Sequence, residues 1–302
     1  FRYTVTIMTK KIAILGGSGF VGSELCRRLT AEGHTIRVLS RKLATTTAIS
    51  DLPNLTLHHC PEYSASELAR ETQSCDVLIN LIGILNEKGR DGSGFDAAHY
   101  VITQNALQAC ISNAIPRMLQ LSALHADVDG PSHYLRSKGR AETLLNNCHD
   151  INITIFKPSV IFGPGDSFLN RFADLLRFTP GVFPLACGNA RFAPVYVGDV
   201  VTAMANSLEQ IDSYGNSYEL CGPNIYTLKQ LVELTGKFSG HSRWVISLPP
   251  TLSKLQAMML ELVPGKPMSM DNFRSLSLDS VCGECTPCPT SLESIAPSYL
   301  KK

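Results

Sequence analysis

Tyr134 and Lys138 stand four residues apart in His133-Tyr-Leu-Arg-Ser-Lys138, where the pattern predicts a helix over 134–147. Residues four apart share one helical face. An ammonium held beside a phenol favours the phenolate and draws the phenol pKa down, so this pair suits proton transfer near neutrality. Ser122 closes the apolar run Met118-Leu-Gln-Leu, where a hydroxyl is placed to hold a substrate carbonyl. A Tyr four before a Lys is common by chance. Its position after a strand-ending Ser gives it weight.

These groups need a scaffold, and the N-terminal third supplies one. Gly16, Gly19 and Gly22 recur at intervals of three between the apolar run Lys11–Leu15 and a helical stretch, Val21 to Glu32, that stops at Gly33. In such a turn the first glycine permits the bend, the second lets backbone approach a pyrophosphate, and the third lets helix and strand pack closely. The helix N-terminus, with Ser18, Phe20 and Val21 around it, offers amides and a positive dipole end to phosphate. The implied ligand is a dinucleotide. NAD binders place a carboxylate at the end of the second strand for the ribose 2′-OH. Here the strand Ile36–Leu39 runs into Ser40-Arg41-Lys42, which carries two cations and no carboxylate. Arg41 suits a 2′-phosphate bidentately, which favours NADP(H) over NAD(H).

Strands at 76–81, 117–121 and 153–156 alternate with helical stretches at 65–72, 97–112 and 134–147. That rhythm predicts an α/β fold, a Rossmann-type doubly wound parallel sheet over residues 10–160. Beyond residue 160 Pro and Gly punctuate shorter elements. Residues 161–302 read mainly as a small C-terminal α/β substrate lobe and an irregular tail past Ser280, with 193–210 returning to the core. Helical patterns recur over 227–238 and 252–262.

At 302 residues, 44% hydrophobic and 18% charged, the chain is rich enough in apolar residues for a large core, so overall disorder is excluded. A net charge of +1 without a basic stripe argues against nucleic acid as a partner. No apolar run reaches the roughly 18–20 residues that span a bilayer. Phe1 to Lys10 has no secretory signal, and Met8 reads as a natural start.

Seven cysteines, among them Cys187 and Cys221, lie in apolar or helical contexts, as reduced thiols do. Cys282, Cys285 and Cys288 have the spacing of zinc or iron–sulfur ligands without a fourth partner nearby, and no metal site is expected; free thiols or one disulfide are the simpler reading. His58 and His59 read as strand-end surface residues, and His125 and His133 as loop residues flanking the active site. Leu252, Leu255, Met258, Met259 and Leu262 form an apolar stripe whose default use is core packing, the alternative being a partner or a membrane surface.

The motifs Gly16–Gly22, Asn80-Leu-Ile-Gly83, Ser122, Tyr134-Leu-Arg-Ser-Lys138 and Lys157-Pro-Ser-Val-Ile-Phe-Gly-Pro-Gly165 together resemble the extended or atypical short-chain dehydrogenase/reductases, which are NAD-dependent epimerase/dehydratase-like. Arg171-Phe, Phe192-Ala-Pro-Val-Tyr-Val-Gly-Asp-Val200 and Tyr218-Glu-Leu-Cys-Gly-Pro223 resemble the branch of the mitochondrial complex I nucleotide-binding accessory subunit and its bacterial relatives. The resemblance implies about seven core strands, with Tyr134 as acid/base, Lys138 as its pKa tuner and ribose ligand, and Ser122 as substrate orienter. It puts Asn80, Leu81 and Gly83 on the adenine-ribose side and Pro158 on the nicotinamide side. His58-His59-Cys60-Pro61 departs from the acidic residue usual after the third strand, and Lys157 from the usual Arg.

Two functions follow as expectations. One is an oxidoreductase acting on a carbonyl or hydroxyl of a small molecule. The other is a nucleotide-binding structural or assembly subunit of a respiratory, complex I-like assembly; an epimerase or dehydratase with recycled NAD is a further variant. The expected location is cytoplasmic in a bacterium, with a peripheral place at the membrane left open, or the mitochondrial matrix in a eukaryote.

Overall fold

Apolar runs become central strands here because both of their faces are covered. Ile12 to Leu15 are fully buried, and every residue of 77–80 and 117–121 is buried. The computed structural model describes residues 9–42, 48–263 and 266–301; Met8 and the residues before it lie outside these. The strands are β1 (Lys11–Leu15), β2 (Thr35–Ser40), β3 (Leu55–His59), β4 (Val77–Asn80), β5 (Arg117–Leu121), β6 (Asn152–Pro158), β7 (Ile161–Phe162), β8 (Val182–Leu185), β9 (Arg191–Phe192), β10 (Val195–Tyr196), β11 (Ser217–Leu220), β12 (Tyr226–Thr227) and β13 (Trp244–Ser247). The helices are α1 (Phe20–Ala31), α2 (Ala65–Glu71), α3 (Ser93–Phe95), α4 (Ile102–Ser112), α5 (His133–Asn146), α6 (Leu169–Phe178), α7 (Val197–Ser207), α8 (Leu228–Ser239), α9 (Pro250–Leu260), α10 (Met270–Ser275) and α11 (Leu292–Leu300). A π-helical turn, Asp96–Val101, joins α3 to α4.

Seven strands form one parallel sheet in the order β11-β6-β5-β4-β1-β2-β3. Ile12 and Ile14 face a core completed by α1 and α7, while Ala13 and Leu15 face one completed by α2, α4 and α5. The strand order turns between β1 and β4. In such sheets ligands bind in the crevice at the carboxyl ends of the strands flanking that point. The glycine turn and Asn80 to Gly83 both leave the sheet there.

The second lobe has its own core, built from Leu169 and Leu176 of α6, Phe183 of β8, Leu231 and Val232 of α8, Val245 of β13 and Ala296 of α11. The chain returns to the first lobe after residue 192. After α7 packs on the α1 side, β11 adds the seventh strand beside β6, so the core extends to Leu220.

Three expectations need correction. The tail is not irregular throughout, because Leu292–Leu300 is helical and buries Leu292, Ala296 and Leu300. Cys221 is not a free thiol: it forms a disulfide with Cys282, their Cα atoms 6.0 Å apart. The apolar stripe is not core. Helix α9 buries only Ser253 and Ala257 and leaves Leu252, Leu255, Met258, Met259 and, just past its end, Leu262 exposed. An apolar period reports a greasy face and not whether anything covers it.

Candidate functional site

The turn between β1 and α1 closes with the Gly19 amide donating to Gly16 O at 3.0 Å, Gly16 holding a φ of +79°. A Cβ on Gly22 would overlap the Gly16 carbonyl oxygen and come 2.6 Å from Gly17 Cα. Helix α1 starts at Gly19 without any side-chain cap, so its first amides have no internal anion. That cradle, filled by any larger residue, fits a pyrophosphate. Ser18 is half-buried on the turn and Gly19 exposed. Val21 is buried in the core, so it serves the turn through backbone, and Phe20 packs alongside it.

At the carboxyl end of β2, Ser40 is buried and its hydroxyl accepts the Lys42 amide at 3.3 Å. Arg41 and Lys42 are exposed beyond it. The Arg41 guanidinium lies 5.9 Å from the Tyr63 ring centre, and Tyr63 is pinned by its hydroxyl donating to Leu39 O. His59 bonds Arg41 O and His58 pairs with Glu71 at 2.7 Å, which leaves both as strand-end surface residues.

At the end of β4 the residues divide. Asn80 is buried and satisfied within the fold: Nδ2 donates to Thr103 and Gln120, and Oδ1 accepts the Ile82 amide. Its side chain shapes the loop. Leu81 packs partly against the core beside Gly16. At Gly83 a Cβ would lie 3.4 Å from Lys138 Nζ.

Tyr134 and Lys138 come from α5, whose cap Ser132 accepts the Leu135 amide. The Tyr134 ring is half-buried, edge-on to His99 (5.4 Å) and Phe95 (6.0 Å). Burial pushes its phenol up to about 12, so the expected lowering by the ammonium is absent. Burial instead brings Lys138 down to about 8, with Glu142 pulling the other way. Lys138 Nζ donates to Leu121 O at 3.0 Å, which anchors it at the end of β5.

Ser122 stands otherwise than expected. It is buried, and its hydroxyl donates to Glu142, whose other oxygen pairs with Lys157 Nζ at 2.6 Å. The hydroxyl is committed inside the protein. Pro158 is buried at the end of β6, and its carbonyl accepts the Leu124 amide.

Three further residues shape the site. His99 accepts the Ile84 amide at Nε2 (3.0 Å), which leaves Nδ1 to donate to Ser137 (2.8 Å), so it bolts the β4 loop to α5. Burial and then the Lys138 charge push its pKa down to about 2, which keeps the ring neutral. Glu142 repeats the Tyr134–Lys138 spacing once more along α5 and was legible for that reason. Asp271, from α10, accepts the His133 amide at 2.7 Å and the Tyr134 amide at 3.1 Å. No local signal in the sequence announces it. Beside this helix start is a cavity of about 210 Å³ lined by Glu87, Arg90, Phe95, His133, Asp271 and Arg274. His125 is exposed and bonds Asp279 O.

A glycine cradle at the sheet's switch point, with a Tyr–Lys pair one strand away, defines a dinucleotide-binding protein of Rossmann type. The model of the NAD dependent epimerase/dehydratase family matches residues 12–221, and the chain belongs to that family. It is 29% identical over 275 residues to NADH dehydrogenase [ubiquinone] 1 alpha subcomplex subunit 9, mitochondrial, of Arabidopsis thaliana, covering 89% of this chain and 68% of that one. It is 28% identical over 193 residues to the ceramide reductase of Caulobacter vibrioides, covering 64% of this chain and 59% of that one. The chain spans from 59 to 68% of the length of the mitochondrial relatives it matches. DesIV, the dTDP-glucose 4,6-dehydratase of Streptomyces venezuelae solved with NAD and TYD bound, superposes with a TM-score of 0.71 at 18% identity, over 96% of this chain and 95% of that one. That likeness bears on the fold.

Proposed function

We propose that the chain is an NADP(H)-binding oxidoreductase acting on a carbonyl or hydroxyl of a small molecule. The observation that carries this reading is the Tyr134–Lys138 pair at the carboxyl end of β5, with Lys138 Nζ anchored on Leu121 O. A nicotinamide, when bound, supplies or takes up the hydride. The chain's own groups handle the proton. Tyr134 is protonated at neutral pH and is the donor, while Lys138 serves as ribose ligand. Gly16, Ser18, Gly19, Phe20, Val21 and Gly22 would hold the pyrophosphate. Arg41, with Ser40 and Lys42, would take the 2′-phosphate. Leu81, Gly83 and Pro158 would flank the ligand.

A second reading rests on Ser122, whose hydroxyl is held by Glu142 and so is not presented to a substrate. On that reading the chain is a nucleotide-binding subunit of a respiratory assembly, its mitochondrial relatives being named as subunits of NADH dehydrogenase, and bound nucleotide stabilises it by mass action. It would then reside with that assembly.

One experiment separates the two. The copurifying nucleotide is identified by mass spectrometry, and Tyr134→Phe is compared with wild type for nucleotide affinity and for oxidation of NADPH with carbonyl substrates. The oxidoreductase reading expects unchanged affinity and loss of turnover. Equal rates in both proteins, or no turnover in either, leave the structural reading.

A further inference from the structure

An exposed apolar surface lies in the second lobe. Phe183 of β8 and Val245 of β13 point into that lobe's core, so their strand neighbours point outward. Trp244, Ile246 and Val182 are accordingly exposed, Trp244 at 71%. Helix α9 adjoins this pair of strands through Gln256 Nε2 donating to Pro184 O at 2.9 Å, and the Cys187 amide donating to Ser253 at 3.2 Å. Its outer face carries Leu252, Leu255, Met258 and Met259. Phe178, 80% exposed, ends α6 next to the turn where Arg243 Nε donates to Thr179 O.

Cations outnumber carboxylates around this surface. Segments 174–189 and 240–263 hold Arg177, Arg243 and Lys254 against two carboxylates, Asp174 and Glu261. Glu261 is half-buried and faces Arg90 at 4.0 Å. Arg177 lies over the Phe178 ring, 5.7 Å from its centre. Trp, Phe, Leu and Met beside Arg and Lys make a surface suited to a lipid headgroup layer. Among the described residues no helix is long and apolar enough to cross a membrane.

We propose that this face, formed by α9 with β8, β13 and the end of α6, docks on an anionic lipid surface. The apolar side chains enter the headgroup boundary while Arg177, Arg243 and Lys254 meet lipid phosphates. Docking of this kind needs no change at the glycine turn, so it is independent of which reading of the nucleotide site holds.

Trp244 is the chain's single tryptophan and reports directly. The nucleotide-loaded protein is mixed with vesicles of phosphatidylglycerol and phosphatidylcholine, with vesicles of phosphatidylcholine alone, and with buffer. A blue shift of Trp244 emission, quenching by brominated chains and co-flotation with the anionic vesicles are expected, all weakening with salt. Leu255→Asp with Met259→Asp alters only exposed positions and should lower partitioning at least about tenfold while nucleotide affinity stays unchanged. Arg177→Glu with Lys254→Glu should do the same to the anionic vesicles alone. The proposal is overturned if Trp244 emission is indifferent to both vesicles in a folded, nucleotide-binding protein. It is equally overturned if the shift follows protein concentration without lipid and a dimer mass appears, or if only an added protein partner produces it.

Discussion

Burial brings the Lys138 ammonium down to about 8 while Glu142 holds it up, so the residue works near the edge of its charged range. In the unfolded chain its pKa is 10.5. Between those values the unfolded state binds a proton that the native state releases, and stability rises with pH across the window. Below it both states are protonated, and burying the charge costs up to about 3 kcal/mol. Lys138→Met removes that dependence. Unfolding free energies for the two proteins should therefore converge as pH goes from 8 to 10.5, wild type gaining up to about 3 kcal/mol on the variant. Denaturant titrations at several pH values measure this, and a constant difference would mean that Lys138 is not desolvated as described. His99 has the opposite value: neutral at working pH, it keeps its acceptor for the Ile84 amide without titrating.

Among the elements, the β1–α1 turn makes the sharpest demand on sequence. Gly22→Ala places a methyl on the Gly16 carbonyl, which only a shift of the turn relieves. Overpacking of this sort costs about 1–3 kcal/mol, and moving the turn should weaken nucleotide binding at least about tenfold. Gly165→Ala is the control: its φ of +86° strains an alanine, but nothing lies within 4 Å of the new atom. It should lower stability by about 1 kcal/mol and leave nucleotide affinity alone, as isothermal titration would show. If the two variants bind nucleotide equally, the cradle is misassigned. Such turns were legible in the sequence because glycine spacing and apolar period are local. Tyr134 and Lys138 were legible for the same reason, and Glu142 extends their stripe. What was not legible depends on distant partners. Asn80 and Ser122 have the right types at the right strand ends, yet Thr103, Gln120 and Glu142 turn their polar atoms inward. His99 meets Ile84 from a π-helical turn that no residue in 96–101 signals, and Asp271 reaches α5 across 137 positions from Tyr134.

At the scale of the molecule, connections between the lobes gather at the carboxyl end of the sheet. Asp271 caps α5 from the second lobe, and Ser275 Oγ donates to Ser132 Oγ at 2.8 Å beside it. On the other side, Cys221 follows directly on β11, and its disulfide to Cys282 fastens the tail just before α11 enters the second core. The Ala193 amide donates to Ser280 O, and the Cys288 amide to Cys221 O, so this crossing is also hydrogen-bonded. The bridge closes a loop with a sequence separation of 61. Restricting an unfolded chain by a loop of that length is worth about 4 kcal/mol in the chain-entropy model, and typical bridges deliver about 2–4. Cys221→Ser should therefore lower the unfolding free energy by about 2–4 kcal/mol without reductant. In dithiothreitol wild type should fall to the level of the variant, because the same bond is then absent from both. Equal stabilities without reductant, with both thiols open to alkylation in the native wild-type protein, would show that hydrogen bonds and the α11 core alone hold the tail.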